Sequence, residues 1–146
     1  MLTLRSNSPE ETEDIGSNLA KKLSQKLTTV AIYGDLSAGK TTFVRGFARG
    51  FGCINDVTSP TFSLLNEYNG EFYLYHFDMY RIHSLQDLIS TGFFDLLGVE
   101  TMIIEWSENI DEYLPQDVVK VVFEKDLLDE NKRTITINYF EKNFIC

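Results

Sequence analysis

Residues 34–41, Gly-Asp-Leu-Ser-Ala-Gly-Lys-Thr, satisfy the pattern G-x-x-x-x-G-K-S/T, in which each fixed position has a physical task. The glycines let the backbone curl until successive N–H groups point inward at phosphate oxygens. Lys40 supplies a point charge for the β- and γ-phosphates, and the Thr41 hydroxyl is a ligand for Mg2+. The flanks fit: Thr29 to Tyr33 reads as a buried strand and Lys40 to Arg49 as a helix. An anion would then rest on a helix N-terminus, where unpaired N–H groups and the helix dipole favour it. The chain must therefore build a strand–loop–helix unit. Its nucleotide-holding positions are Gly34, Asp35, Leu36, Ser37, Ala38, Gly39, Lys40, Thr41 and Thr42.

Around this unit, 146 residues suffice for one domain with a real core, and 43% apolar content argues against disorder. No apolar run is long enough to span a membrane, and the N-terminus lacks the basic-then-apolar pattern of a signal peptide. Cys53 and Cys146 show no metal-ligand spacing, so a reducing cytoplasm is expected. A net charge of −9 repels phosphate backbones, which argues against autonomous nucleic-acid binding. It leaves ATP open, because the loop is a local nest of N–H groups beside Lys40.

Leu2 to Arg5 reads as a short edge strand. Ser8 then caps a helix, with Pro9 in its first turn and Glu11 completing a capping box. Ile15, Leu19, Leu23 and Leu27 recur every four residues as one apolar stripe. Asn69-Gly70 between two β-rich runs predicts a hairpin of Phe62–Tyr68 and Glu71–Phe77. Ser84 with Asp87 caps a further helix, and Gly92 and Gly98 bracket a short helical piece. Val99 to Ile104 is an apolar strand ending at Glu105, and Pro115 stops a short helix. Val118–Phe123 and Thr134–Tyr139 close the chain as a β pair around the polar turn 129–132. The expectation is an α/β, P-loop NTPase-like three-layer fold, its sheet mixing parallel strands with hairpins. Ligands in such sheets bind at strand carboxyl ends. If the ends at Gly34, Asp78 and Glu105 lie side by side, all three meet one nucleotide.

Glu105, after Met102-Ile103-Ile104, stands where a phosphate-loop protein needs a carboxylate for Mg2+, and Asp78 offers a second. Thr58-Ser59-Pro60-Thr61-Phe62 is either a polar turn or a segment that senses the γ-phosphate. Guanine recognition normally uses Asn-Lys-x-Asp. The chain's Asn131-Lys132 is followed by Arg133 and Thr134, which leaves ATP as the nucleotide. Trp106, the single tryptophan, either shields the site or packs in the core.

"GDLSAGKTTFVRGFARGFG", "VTSPTFSLLNEY", "LYHFDMYR" and "IIEWSE" together resemble the TsaE (YjeE) family, small bacterial P-loop ATPases of tRNA threonylcarbamoyladenosine biosynthesis. The likeness runs from Val30 to Pro115. It implies that Lys40 and the loop backbone bind phosphates and that Thr41 and Glu105 serve Mg2+. It makes Asp78 a catalytic carboxylate, Thr61 part of a switch-like segment, and Trp106 a neighbour of the nucleotide. It implies TsaD and TsaB as protein partners, whose turnover ATP hydrolysis supports, with tRNA reached indirectly through that complex. Ser37 stands where many relatives have glycine, and Asn109 where relatives often have arginine. Two other readings remain, a small-molecule kinase and a nucleotide-dependent switch with negligible hydrolysis. A kinase typically adds an arginine-bearing lid, yet none of Arg5, Arg45, Arg49, Arg81 and Arg133 lies in a long insertion.

Overall fold

The computed structural model describes residues 1–23, 27–35, 39–54, 56–58 and 64–139. Among the described residues seven strands form one sheet: β1 (Leu2–Ser6), β2 (Thr29–Tyr33), β3 (Leu65–Tyr68), β4 (Leu74–Asp78), β5 (Thr101–Glu105), β6 (Val119–Lys125) and β7 (Arg133–Asn138). Their spatial order is β1-β7-β6-β2-β5-β4-β3. The central strands β6, β2, β5 and β4 run parallel, whereas β1, β7 and β3 pair antiparallel with their neighbours. This is the expected α/β fold with a sheet of mixed direction.

Side chains alternate across the sheet, so each central strand feeds two cores. Val30, Ile32, Leu74 and Ile103 pack under the helices α1 (Pro9–Leu23) and α2 (Lys40–Phe51), with Leu19, Phe43 and Phe47. Phe77, Met102 and Ile104 face the other way, against Leu88 of α3 (Leu85–Ser90) and Phe93 of α4 (Phe93–Leu96). Helices thus cover both faces of the sheet, as expected of three layers.

The helix α1 begins as its sequence requires. The Glu11 amide donates to Ser8 Oγ at 3.1 Å, while the Glu11 carboxylate accepts from the Asn7 amide at 2.7 Å, one residue before the position a capping box would use. The apolar stripe holds at Leu19 and Leu23, but Leu27 lies beyond the helix and is exposed. Glycines let α1 and α2 touch backbone to backbone. A β-carbon on Gly46 would lie 1.9 Å from the Glu13 carbonyl oxygen, and one on Gly50 2.3 Å from that of Ser17. Arg45 and Arg49 reach across the same seam to Glu13.

The hairpin departs from its expected form. Tyr68 pairs with Leu74, so the connection is residues 69–73, and β4 starts at Leu74 rather than Glu71. Gly70 does not take a positive φ; a β-carbon there would sit 2.4 Å from the Gly52 carbonyl oxygen. Close packing against the end of α2, and not a two-residue turn, is what this glycine serves. The described part of β3 begins at Leu65, after Leu64 in a left-handed conformation (φ 62°), and Phe62 lies outside the described residues. Further boundaries shift slightly: α2 runs on to Phe51, β5 starts at Thr101 after an exposed Val99, and the closing pair is Val119–Lys125 with Arg133–Asn138. Two short 3-10 turns, Ser107–Asn109 and Asp111–Tyr113, fill the stretch before Pro115.

Among the described residues, no helix is long and apolar enough to cross a membrane.

Candidate nucleotide site

The carboxyl ends of β2, β5 and β4 are adjacent, as they must be for one ligand to meet all three. Gly34 follows β2 with a φ of 143°, and a β-carbon there would strike Phe123 at 2.9 Å. Glycine is required on both grounds. Gly39, at φ 92°, immediately precedes the first residue of α2, Lys40. Asp78 ends β4 directly opposite Glu105, the end of β5. Period-two alternation puts Asp78 and Glu105 on the α2 face of the sheet, because Phe77 and Ile104 face the other core.

Lys40 is buried at 4% exposure. Its ammonium donates to the Gly34 carbonyl at 2.6 Å and lies 3.5 Å from the centroid of the Trp106 ring. Burial pulls its pKa down from the usual lysine value, while Glu108, Glu105, Asp78 and Asp35 pull it back up. The Thr41 hydroxyl donates to Glu105 Oε1 at 3.1 Å. Glu105 Oε2 is 2.6 Å from Nε2 of His76, a fully buried histidine. Asp78 accepts from the Tyr80 amide at 3.0 Å. Burial raises the Asp78 pKa, an effect that the Tyr80 bond, His76 and Lys40 oppose and Glu105 reinforces.

Trp106 itself is backbone-strained, at φ 58° in the left-handed region, which costs about 1–3 kcal/mol for a non-glycine residue. That turn lays its ring against Lys40 and, 5.0 Å between centroids, against Tyr80. The Asn109 amide donates to the Met79 carbonyl at 2.8 Å and to that of Tyr80 at 3.2 Å, holding the chain after Asp78 against the turn after Trp106. Glu108 accepts from the Gly34 amide at 2.9 Å and adds a third carboxylate beside Lys40.

Lys40, Thr41, Asp78, Glu105 and Trp106 line a cavity of about 590 Å3 that also includes Gly39, Thr42 and Tyr80. Ser8, Pro9 and Thr12 at the start of α1 form one wall, and Glu130, Asn131 and Arg133 near the β6–β7 turn form another. The donor set suits a small hard cation held jointly with a phosphate. It sets the Thr41 hydroxyl and the carboxylates of Asp78 and Glu105 close to the Lys40 ammonium. Among the described residues no cluster of three metal-ligating side chains exists.

The fold thus brings together Gly34, Gly39, Lys40, Thr41, Thr42, Asp78, Glu105 and Trp106. Asp35 is exposed and acts on Lys40 only through its charge. Leu36, Ser37, Ala38 and Thr61 lie outside the described residues. Sequence reasoning missed His76, although its place two residues before Asp78 on one strand was a usable signal. It also missed Glu108, in the 3-10 turn that follows Trp106. For Arg133 and the start of α1 there was no local signal.

A family model described as threonylcarbamoyl adenosine biosynthesis protein TsaE matches residues 6–135. The chain is 39% identical over 137 residues to the tRNA threonylcarbamoyladenosine biosynthesis protein TsaE of Bacillus subtilis, covering 92% of this chain and 85% of that protein. It is 37% identical to the protein of that name from Treponema pallidum, covering 90% and 96%. The crystal structure of Bacillus subtilis YdiB superposes with a TM-score of 0.72 at 34% identity, covering 98% of this chain and 88% of that one.

Proposed function

The chain belongs to the TsaE family of tRNA threonylcarbamoyladenosine biosynthesis proteins, and on that premise we propose that it is a Mg2+-dependent ATPase whose hydrolysis supports turnover of a TsaD–TsaB complex. The observation that carries this reading is the convergence of Lys40, Thr41, Asp78 and Glu105 at adjacent strand ends around one cavity. Glycine-rich backbone turns and a buried ammonium suit polyphosphate, and no Asn-Lys-x-Asp segment exists for guanine.

In this proposal Lys40 and the amides of residues 34–42 bind the β- and γ-phosphates. Thr41 and Glu105 hold Mg2+, which when bound neutralises charge on the phosphate oxygens. Asp78 orients the attacking water and accepts its proton; a carboxyl raised by burial is a better base than a solvated one. Trp106 and Tyr80 cover the site on one side. Thr61 belongs to a switch-like segment. We place the protein in the cytoplasm as a single domain that contacts TsaD and TsaB, with tRNA reached through them. The net charge of −9 supports that indirect route.

Titration with ATP and GTP, with and without Mg2+, followed by hydrolysis assays with and without TsaD–TsaB, tests this reading. Tighter binding of ATP than GTP and partner-stimulated release of phosphate are expected. Equal affinity for GTP overturns the adenine preference. Phosphate transfer only to an added small-molecule acceptor would make the protein a kinase. Binding without turnover in any mixture would make it a switch.

A further inference from the structure

We propose that His76 is a positioning residue of the nucleotide site, fixing the Glu105 carboxylate and tying it to the backbone at Thr58; this rests on the ATPase reading above. His76 lies mid-way along β4, fully buried, with both ring nitrogens engaged. Nε2 meets Glu105 Oε2 at 2.6 Å and Nδ1 meets the Tyr68 hydroxyl oxygen at 2.8 Å. Turning the ring over would break both contacts, so its orientation is set. Tyr68, itself 3% exposed, donates to the Thr58 carbonyl at 3.1 Å. The Asn66 amide donates to that carbonyl at 3.0 Å.

The consequence falls on Glu105. A glutamate has three side-chain torsions, and a carboxylate free to rotate loses its aim toward a shared ligand. Here one oxygen is pinned by His76 while the other accepts from Thr41. Sheet register creates the arrangement: Asp78 is opposite Glu105, so His76, two residues earlier on the same face, is the diagonal neighbour. A buried imidazole is costly unless both nitrogens are paired, and both are. Groups that orient a metal-serving carboxylate in this way typically govern metal affinity by 10–100-fold.

The test titrates Mg2+ into the full-length protein with a non-hydrolysable ATP analogue, reading the fluorescence of Trp106, the single tryptophan. Analogue affinity without Mg2+ and thermal midpoint are measured alongside. His76→Leu should raise the Mg2+ requirement by about tenfold and leave Mg2+-free affinity unchanged. His76→Gln should recover most of the loss, because its amide can still donate to Glu105. Tyr68→Phe keeps the ring, deletes only the hydroxyl, and should shift the requirement the same way by less. Parallel losses with and without Mg2+ and no rescue by glutamine would make His76 a packing residue and overturn the proposal. An unchanged Mg2+ requirement also overturns it. Should His76→Leu fail to fold, Tyr68→Phe decides by the same two criteria. Wild-type protein that binds no analogue overturns the ATPase reading itself, a result distinct from variants that match a binding wild type.

Discussion

Lys40 occupies a place that costs the fold and serves the ligand. Its pKa is lowered by burial, so the charged form is penalised in the native state. The unfolded chain then binds more protons than the native one between the folded pKa and 10.5, and stability rises with pH across that window. Below that window the penalty is fully present. Lys40→Met should abolish tight ATP binding. Lys40→Ala should weaken binding by about 1.5–3 kcal/mol, the scale of a charge-assisted hydrogen bond. Asp78 has the opposite charge and a raised pKa, so the native state holds its proton more tightly and stability falls as pH rises through and above 3.8. Asp78→Asn should thus be more stable than wild type at pH 7, with the gap closing as pH falls toward 4, measured by urea denaturation at several pH values. The same variant should bind ATP almost normally and hydrolyse it roughly 10²–10⁴-fold more slowly. Glu105→Gln should instead raise the Mg2+ requirement. Single-turnover hydrolysis with Mg2+ titration separates the two, and the reverse pattern would exchange their roles.

At the scale of elements, the site depends on how closely α1 lies against α2. The first turn of α1 forms a wall of the cavity, and glycines in the seam allow the approach. A methyl group at Gly46 would meet the Glu13 backbone at 1.9 Å, a contact that only a shift of one helix can relieve. Gly46→Ala should cost about 3 kcal/mol in urea unfolding, the upper range for overpacking. Because the shift moves Ser8 and Thr12 away from Gly39, ATP affinity should fall as well. The ion pairs of Arg45 and Arg49 with Glu13 are half-exposed, and Arg45→Ala should change stability by less than about 1 kcal/mol. The β4–β5 pair is the other decisive element. Its parallel register puts Asp78 beside Glu105 and His76 one step behind, so a slip of β4 by one residue would turn Asp78 and His76 away from α2 and strip Glu105 of both neighbours.

For the whole molecule, charge and shape set what it can do alone. With net charge −9, binding to bare tRNA should be negligible at physiological salt in a gel-shift or anisotropy assay. Hydrolysis by the isolated chain should be slow and should rise markedly with TsaD–TsaB, because a site that needs a partner to exclude water works slowly alone. Full-speed turnover without partners would defeat that coupling.

The features written in the sequence itself are those that local physics decides. Gly34 and Gly39 with Lys40 and Thr41 specify a loop that cradles phosphate, because φ values, N–H directions and one charge are set within eight residues. Ser8 and Ser84 announce helix starts through bonds to their own neighbours. Apolar runs ending in Asp78 and Glu105 announce strands with carboxylates at their carboxyl ends. Tertiary structure alone decided the rest, because strand order and register depend on pairings between distant residues. It made Asn69-Gly70 part of a longer connection, fitted to a glycine contact with the end of α2. It carried Arg133 and the start of α1 to the same cavity as Lys40. It joined Glu105 to His76 and His76 to Tyr68, contacts that exist only where β4 lies between β5 and β3.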